Sequence, residues 1–326
     1  MRHLGVVGAG AWGTALAHLA AANGPVTLWA RSAERAAAIA ATGRNDAYLP
    51  GVALSPVIRV TAQADALAGC DALLLATPAQ AMRGVLVGMP ESGCPLLLCS
   101  KGIEAGTRLL MSEVAAELRP SSPIAVLSGP TFAHEVAVDL PTAVTLACGD
   151  AAVAERLSRR IARASFRPYL SDDVIGAEIG GAVKNVLAIA CGVVAGYGLG
   201  HNAAAALIAR GFAEMARFGA ARGASAVSLA GLAGLGDLVL TCSSASSRNY
   251  SLGLGLGRGE RAADLLATRR TVAEGAATAP VLVEAARAAG VEMPIAEAVG
   301  TLLAGEASVA NVVERLLNRP LGVERR

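Results

Sequence analysis

The chain has 326 residues, 54% of them hydrophobic, with 28 Lys and Arg against 26 Asp and Glu for a net charge of +2. At about 150 residues per domain this is material for two domains with sizeable cores, which excludes a mini-protein or a disordered chain. The balanced charge gives no basic stripe, and 2 Trp, 4 Tyr and 4 Phe cannot build base-stacking platforms, so no nucleic-acid partner is expected.

The first half alternates short β-rich runs with Ala-rich helical stretches, the pattern of a parallel sheet covered by helices. Predicted strands run His3–Val7, Pro25–Ala30, Val57–Val60, Ala72–Ala76, Pro95–Cys99, Ile124–Leu127 and Ala143–Ala147. Helices are expected from Trp12, after Ser32, over Ala62–Ala68 and over Asp150–Arg163. After Ser171 the strand signals stop. Turn formers and two acids at Ser171–Asp173 suit a helix N-terminus. The fold expected is therefore an α/β Rossmann-type N-terminal domain, residues 1–172, followed by an all-helical C-terminal domain, residues 173–326.

The longest uncharged run, Asn185 to Ala209, is long enough to span a bilayer, but Gly192, Gly196, Gly198 and Gly200 interrupt it and His201 and Asn202 follow. It reads as two helices joined by a Gly-rich turn, and no membrane span is expected. Arg2 and His3 before an apolar stretch imitate a signal peptide, yet Gly5, Gly8, Gly10 and Gly13 suit it poorly. Cys70, Cys94, Cys99, Cys148, Cys191 and Cys242 include no CxxC and read as reduced cytosolic thiols. His3, His18, His134 and His201 have no metal-ligand spacing, so no metal is implied.

Gly8-Ala9-Gly10-Ala11-Trp12-Gly13 follows one predicted strand and opens a helix, the context in which GxGxxG signals a dinucleotide. Gly8 serves the tight turn, Gly10 lets backbone approach a pyrophosphate, and Gly13 lets helix pack on strand. The second strand ends in Leu28-Trp29-Ala30-Arg31-Ser32, with no acid to hold the NAD ribose. Arg31 can instead bind a 2′-phosphate, which favours NADP(H) while allowing NAD(H). A solvated surface arginine is the alternative. Arg31, Thr77-Pro78, Lys101 and Gly129-Pro130-Thr131 each follow a strand, as the glycines do, so they converge on one crevice.

Lys184 is the only charge between Ile179 and Gly200, on a stretch expected to be a largely buried helix. It needs a partner or a lowered pKa, and the latter suits an acid/base catalyst; a lysine snorkelling to the surface is the alternative. Asp237 is also solitary, in Gly231-Leu232-Ala233-Gly234-Leu235-Gly236-Asp237-Leu238, and is either Lys184's partner or a helix cap. The polar cluster Thr241–Asn249, with hydroxyls, Arg248 and an amide, suits a phosphate.

These motifs resemble those of the bacterial NAD(P)-dependent sn-glycerol-3-phosphate dehydrogenases along nearly the full chain: Gly8–Ala17, Ser100–Glu104, Gly129–Ala137, Gly180–Asn185, Gly231–Cys242, Ser246–Asn249 and Val272–Gly275. The resemblance implies reduction of dihydroxyacetone phosphate to sn-glycerol 3-phosphate for glycerophospholipid synthesis, by a cytoplasmic homodimer. It implies Lys184 as proton acceptor. It places Lys101, Gly129, Thr131, Lys184, Asp237, Ser247, Arg248 and Asn249 on the substrate. Ala11, Trp12, Arg31, Lys101, Ala133, Arg248, Val272 and Glu274 fall on the nucleotide. Thr77-Pro78-Ala79-Gln80 departs from a common Val-Pro-Ser, and His134 stands where lysine is common. The rival readings are another two-domain hydroxy-acid dehydrogenase and a non-catalytic nucleotide sensor, the latter leaving Lys184 and Asp237 without a task.

Overall fold

The computed structural model describes residues 1–268 and 273–320. Strands β1 (Leu4–Val7), β2 (Val26–Trp29), β3 (Ile58–Thr61), β4 (Ala72–Leu75), β5 (Leu96–Leu98), β6 (Ile124–Ser128), β7 (Thr142–Cys148) and β8 (Phe166–Ser171) form one sheet in the order β3-β2-β1-β4-β5-β6-β7-β8. The strands from β3 to β6 in that order are parallel. β1 and β4, LGVV and ALLL, are buried throughout, as unbroken apolar strands must be when helices cover both faces. The strand order reverses between β1 and β4, which opens a crevice at the strands' carboxyl ends.

Helices α1 (Ala11–Ala21), α2 (Ala33–Thr42), α3 (Met82–Val87), α4 (Met111–Leu118), α5 (Ala133–Ala137) and α6 (Ala151–Ile161) belong to this half. Ser32 caps α2 by accepting from the Arg35 N–H, and Asp150 caps α6 by accepting from Ala152 and Val153.

Three details differ from the sequence reading. The Ala62–Ala68 stretch forms only a 3₁₀ turn, Ala64–Leu67. β7 runs antiparallel to β6, so the sheet is not wholly parallel; the link between them holds only the five-residue α5. β8 was not foreseen. Its sequence, FRPYLS, contains a proline and leaves Tyr169 and Leu170 half exposed, features that an edge strand tolerates and an apolar-run criterion misses.

From Val174 onward the described chain is helical: α7 (Val174–Tyr197), α8 (Gly200–Ala221), α9 (Ala226–Leu229), a π-helical segment Leu232–Gly236, α10 (Asp237–Cys242), α11 (Arg248–Gly257), α12 (Ala262–Ala267), α13 (Glu274–Ala288), α14 (Pro294–Ala304) and α15 (Val309–Leu317). Asp173 caps α7, accepting from the Gly176 N–H, and Gly198 in the left-handed conformation ends it. α7 is long and apolar enough to cross a membrane, but 89% of its apolar window is buried within the protein: it is the axis of the helical half. α11 crosses α7 backbone to backbone, because a Cβ at Gly253 or Gly257 would strike the carbonyl oxygen of Ile189 or Val193.

The two halves are tied away from the crevice as well. Glu178 on α7 accepts the Ser112 N–H (2.8 Å) and the Ser112 hydroxyl (2.5 Å) at the start of α4. The neighbouring Glu113 pairs with Arg222 at 2.9 Å.

Candidate active site

The glycine turn behaves as its three residues demand. Gly8 has φ +111°, and a Cβ there would lie 2.8 Å from the Ala76 carbonyl oxygen. A Cβ at Gly13 would collide with the Gly8 carbonyl oxygen, whereas one at Gly10 would meet nothing within 4 Å. The middle glycine therefore borders open space in front of the α1 N-terminus, where Ala11 and Trp12 begin the helix. Such a space suits a pyrophosphate, and the residues present fit a dinucleotide. Arg31 is exposed just beyond β2.

Beyond β5 and β6 the other predicted groups gather. Lys101 Nζ donates to the Gly129 carbonyl (3.2 Å), to which the Thr131 hydroxyl also donates (3.3 Å). Ala133 is the first residue of α5. Gln80 clamps the loop after Lys101, donating to the Ile103 carbonyl (2.8 Å) and accepting from the Ala105 N–H (2.9 Å).

The helical half completes the cluster. Lys184 Nζ donates to Asp237 Oδ1 at 2.6 Å and to the Thr241 hydroxyl at 2.8 Å, while Lys101 Nζ donates to Asp237 Oδ2 at 2.6 Å. Asp237 is 0% and Lys184 6% exposed. The alternatives of a surface-seeking lysine and a simple helix-capping aspartate therefore fall away. Burial, reinforced by the Lys101 charge and opposed by Asp237, lowers the Lys184 pKa to about 8. With both lysines protonated the cluster carries one excess positive charge in a dry setting, an arrangement that favours a developing oxyanion.

Local sequence explains the close approach. A Cβ at Gly180 would press on the Ala233 carbonyl of the π-helical segment, and one at Gly181 would sit 2.9 Å from Ser128 Oγ and 3.2 Å from Lys101 Cγ. Gly180-Gly181 thus lets α7 touch both the strand end bearing Lys101 and the π turn delivering Asp237.

Ser247 caps α11, accepting from the Tyr250 N–H, and Arg248 opens that helix with its side chain exposed. A helix N-terminus beside a guanidinium is suited to a phosphate. Asn249 is largely committed to structure: it donates to Asn185 Oδ1 (2.9 Å) and accepts from the Gly275 N–H (3.0 Å), leaving one amide hydrogen. Burial pushes the Glu274 carboxyl, at the start of α13, up to about 7 against the pull of the Ala79 backbone in the turn after β4 and of Arg248. Val272 lies outside the described residues.

Thr241 belongs to the lysine cluster rather than to the polar run expected to suit a phosphate; its place one helical turn after Asp237 was the available signal. Asn185 and Gln80 were not singled out, since uncharged amides leave no charge anomaly to notice.

Residues 3–154 match the model of the NAD-dependent glycerol-3-phosphate dehydrogenase N-terminus, and residues 173–314 that of its C-terminus. The chain belongs to the NAD-dependent glycerol-3-phosphate dehydrogenase family. Within that dehydrogenase family it is 60% identical over 324 residues to glycerol-3-phosphate dehydrogenase [NAD(P)+] 1 of Sphingopyxis alaskensis, covering 99% of this chain and 98% of the relative. It is 62% identical over 322 residues to glycerol-3-phosphate dehydrogenase [NAD(P)+] of Erythrobacter litoralis, covering 98% and 97%. The crystal structure of glycerol-3-phosphate dehydrogenase from Coxiella burnetii superposes with a TM-score of 0.93 at 36% identity, covering 98% of this chain and 99% of that one.

Proposed function

We propose that the chain reduces dihydroxyacetone phosphate reversibly to sn-glycerol 3-phosphate with NAD(P)H, supplying glycerophospholipid synthesis. The observation that carries this reading is the buried Lys101–Asp237–Lys184 cluster, set where the glycine-turn half meets the helix that Arg248 opens. Residues 1–172 are read as the nucleotide half and 173–326 as the half that binds substrate and moves the proton.

The bound nicotinamide nucleotide supplies the hydride that C2 of the substrate receives. Lys184, protonated in this direction, donates a proton to the C2 oxygen; in reverse, neutral Lys184 takes the hydroxyl proton. A pKa of about 8 leaves both forms accessible near neutrality. Asp237 holds the ammonium in place, and Lys101 adds positive potential beside the nascent oxyanion. Ser247, Arg248 and the remaining Asn249 amide hydrogen hold the phosphate, with Gly129 and Thr131 bordering the pocket, so that binding energy orients the carbonyl. On the nucleotide, Gly8, Gly10, Ala11, Trp12 and Gly13 take the pyrophosphate side. Arg31 takes the 2′-phosphate, and Lys101, Ala133, Arg248, Val272 and Glu274 take the rest.

We read the chain as a cytoplasmic homodimer on the strength of the family resemblance, with its six free, buried cysteines in keeping with a reducing compartment. Light scattering on the purified protein tests the dimer. The reaction is tested by following NADPH oxidation with dihydroxyacetone phosphate against unphosphorylated dihydroxyacetone. Turnover confined to the phosphate ester is expected; equal turnover with both removes the phosphate-binding role of Arg248.

A further inference from the structure

Lys101 reaches Asp237 from a loop, residues 100–110, and whatever fixes that loop decides where the ammonium stands. At its start the Ser100 hydroxyl donates to the Thr77 carbonyl at 2.5 Å. Its two arms close as an isolated antiparallel bridge between Ile103 and Leu110. Inside that bridge the Glu104 N–H donates to the Leu109 carbonyl and the Arg108 N–H to the Glu104 carbonyl, each at 2.9 Å. Ile103 and Leu110 are fully buried in the core of the helical half. Gly102 leaves no slack: a Cβ there would lie 2.6 Å from that of Ala79 and 3.2 Å from Thr278 Oγ1.

The charged anchor of the loop is Glu104. Arg83 on α3 forks its carboxylate, Nε to Oε1 and Nη2 to Oε2, each at 2.9 Å, and Nη2 also reaches Glu117 Oε2 on α4 at 2.8 Å. The Thr107 hydroxyl donates to Glu104 Oε2 at 2.6 Å. The Glu104 side chain is 9% exposed against 52% for Glu117, so Glu104 is the partner that water cannot replace. A carboxylate this deep keeps its charge only while its counter-ion is in place. We propose that Arg83 is a positioning residue for the reaction: by fixing Glu104 it holds the loop that sets the Lys101 ammonium between Asp237 Oδ2 and the Gly129 carbonyl. The proposal rests on the proton-transfer reading above and deepens it. Without Arg83, Glu104 turns toward water, and the short backbone between them carries the displacement to Lys101. Among the described residues the charged and titratable groups acting on Lys184 are Asp237, Lys101 and Cys242. Burial is the largest influence lowering the Lys184 pKa and the Lys101 charge adds to it, so withdrawal of Lys101 lets that pKa rise.

The test is kcat/KM for dihydroxyacetone phosphate reduction with NADPH, followed from neutral to alkaline pH on full-length protein. Arg83→Gln should lower kcat/KM at neutral pH about tenfold, through the charge withdrawn from the nascent oxyanion, and move the alkaline limb to higher pH. Arg83→Gln/Glu104→Gln removes both charges and the need for Glu104 to reach water, so it should return to within about twofold of wild type with its limb restored. Glu117→Gln removes only the exposed arm and should match wild type. Arg83→Gln with a wild-type rate, or with a reduced rate and an unmoved limb, overturns the proposal, as does a double variant as slow as the single one. Should Arg83→Gln fail to fold, Arg83→Lys, which keeps the charge and loses the planar fork, carries the same test with a smaller rate loss: its limb moves to higher pH or the proposal falls. Absence of turnover by the wild-type protein would overturn the reaction reading and the proposal with it.

Discussion

Lys101 and Lys184 reach opposite oxygens of one carboxylate, each at 2.6 Å from Asp237, one lysine from the end of a strand and the other from the axis of the helical half. The carboxylate is fully buried and balances two cations, Lys184, itself buried, and Lys101, whose side chain is 16% exposed. Asp237→Asn removes that balance and leaves the ammonium groups facing each other. The expected loss of stability is about 3 kcal/mol or more, read from urea unfolding. In the same variant Lys184 loses the influence that holds its pKa up, so it gives up its proton at lower pH. The alkaline limb of kcat/KM for carbonyl reduction therefore moves to lower pH. An unmoved limb would show that Asp237 is structural only.

Lys184→Met leaves an apolar side chain of similar length on α7. Turnover should fall at least about a thousandfold, because general acid catalysis alone contributes up to ~10⁴-fold and the oxyanion loses its nearest charge. NADPH affinity, measured calorimetrically, should stay near wild type. Retained turnover would remove Lys184 as the proton donor.

Arg31 is exposed at the end of β2, where no acid stands to hold a ribose hydroxyl. Arg31→Ala should weaken NADPH by about tenfold, the worth of one charge-assisted contact, and leave NADH nearly unchanged. Kd values for the two nucleotides check this. An equal effect on both would return Arg31 to the role of a solvated surface charge.

Lys184 and Asp237 were legible in the sequence because each is a lone charge in an apolar run, and burial forces such charges to find one another. The glycine turn was legible because each glycine serves a separate steric need. Less could be read where the decisive term is tertiary. Nothing local marks Pro168 as part of a strand, since β8 exists through pairing with β7 along one side only. The chain turns at Gly129 with φ +145°, where an added Cβ would lie 3.0 Å from the Val144 backbone of β7, a closeness that only the fold reveals. Asn249 was read as a phosphate ligand from its company, and only the fold brings Asn185 and Gly275 to its amide.

Glu178 offers a test of the tie between the halves. Burial pushes its carboxyl up to about 7 from the ordinary 4.5 of a glutamate, with Glu113 adding to the rise and the Ser112 bonds and Arg222 opposing it. Between those pH values the folded state holds a proton that the unfolded state has released. Its contribution is thus complete below about pH 4.5 and is lost as pH rises through about 7. The slope from this one group approaches about 1.4 kcal/mol per pH unit inside the window. Glu178→Gln keeps an acceptor for the Ser112 N–H and can donate to the Ser112 hydroxyl, so the junction survives without a titrating group. Urea unfolding from pH 5 to 7 should show wild-type stability falling more steeply with pH than that of Glu178→Gln. Parallel slopes would mean that Glu178 is ionised across this range and that the Ser112 bonds outweigh its burial.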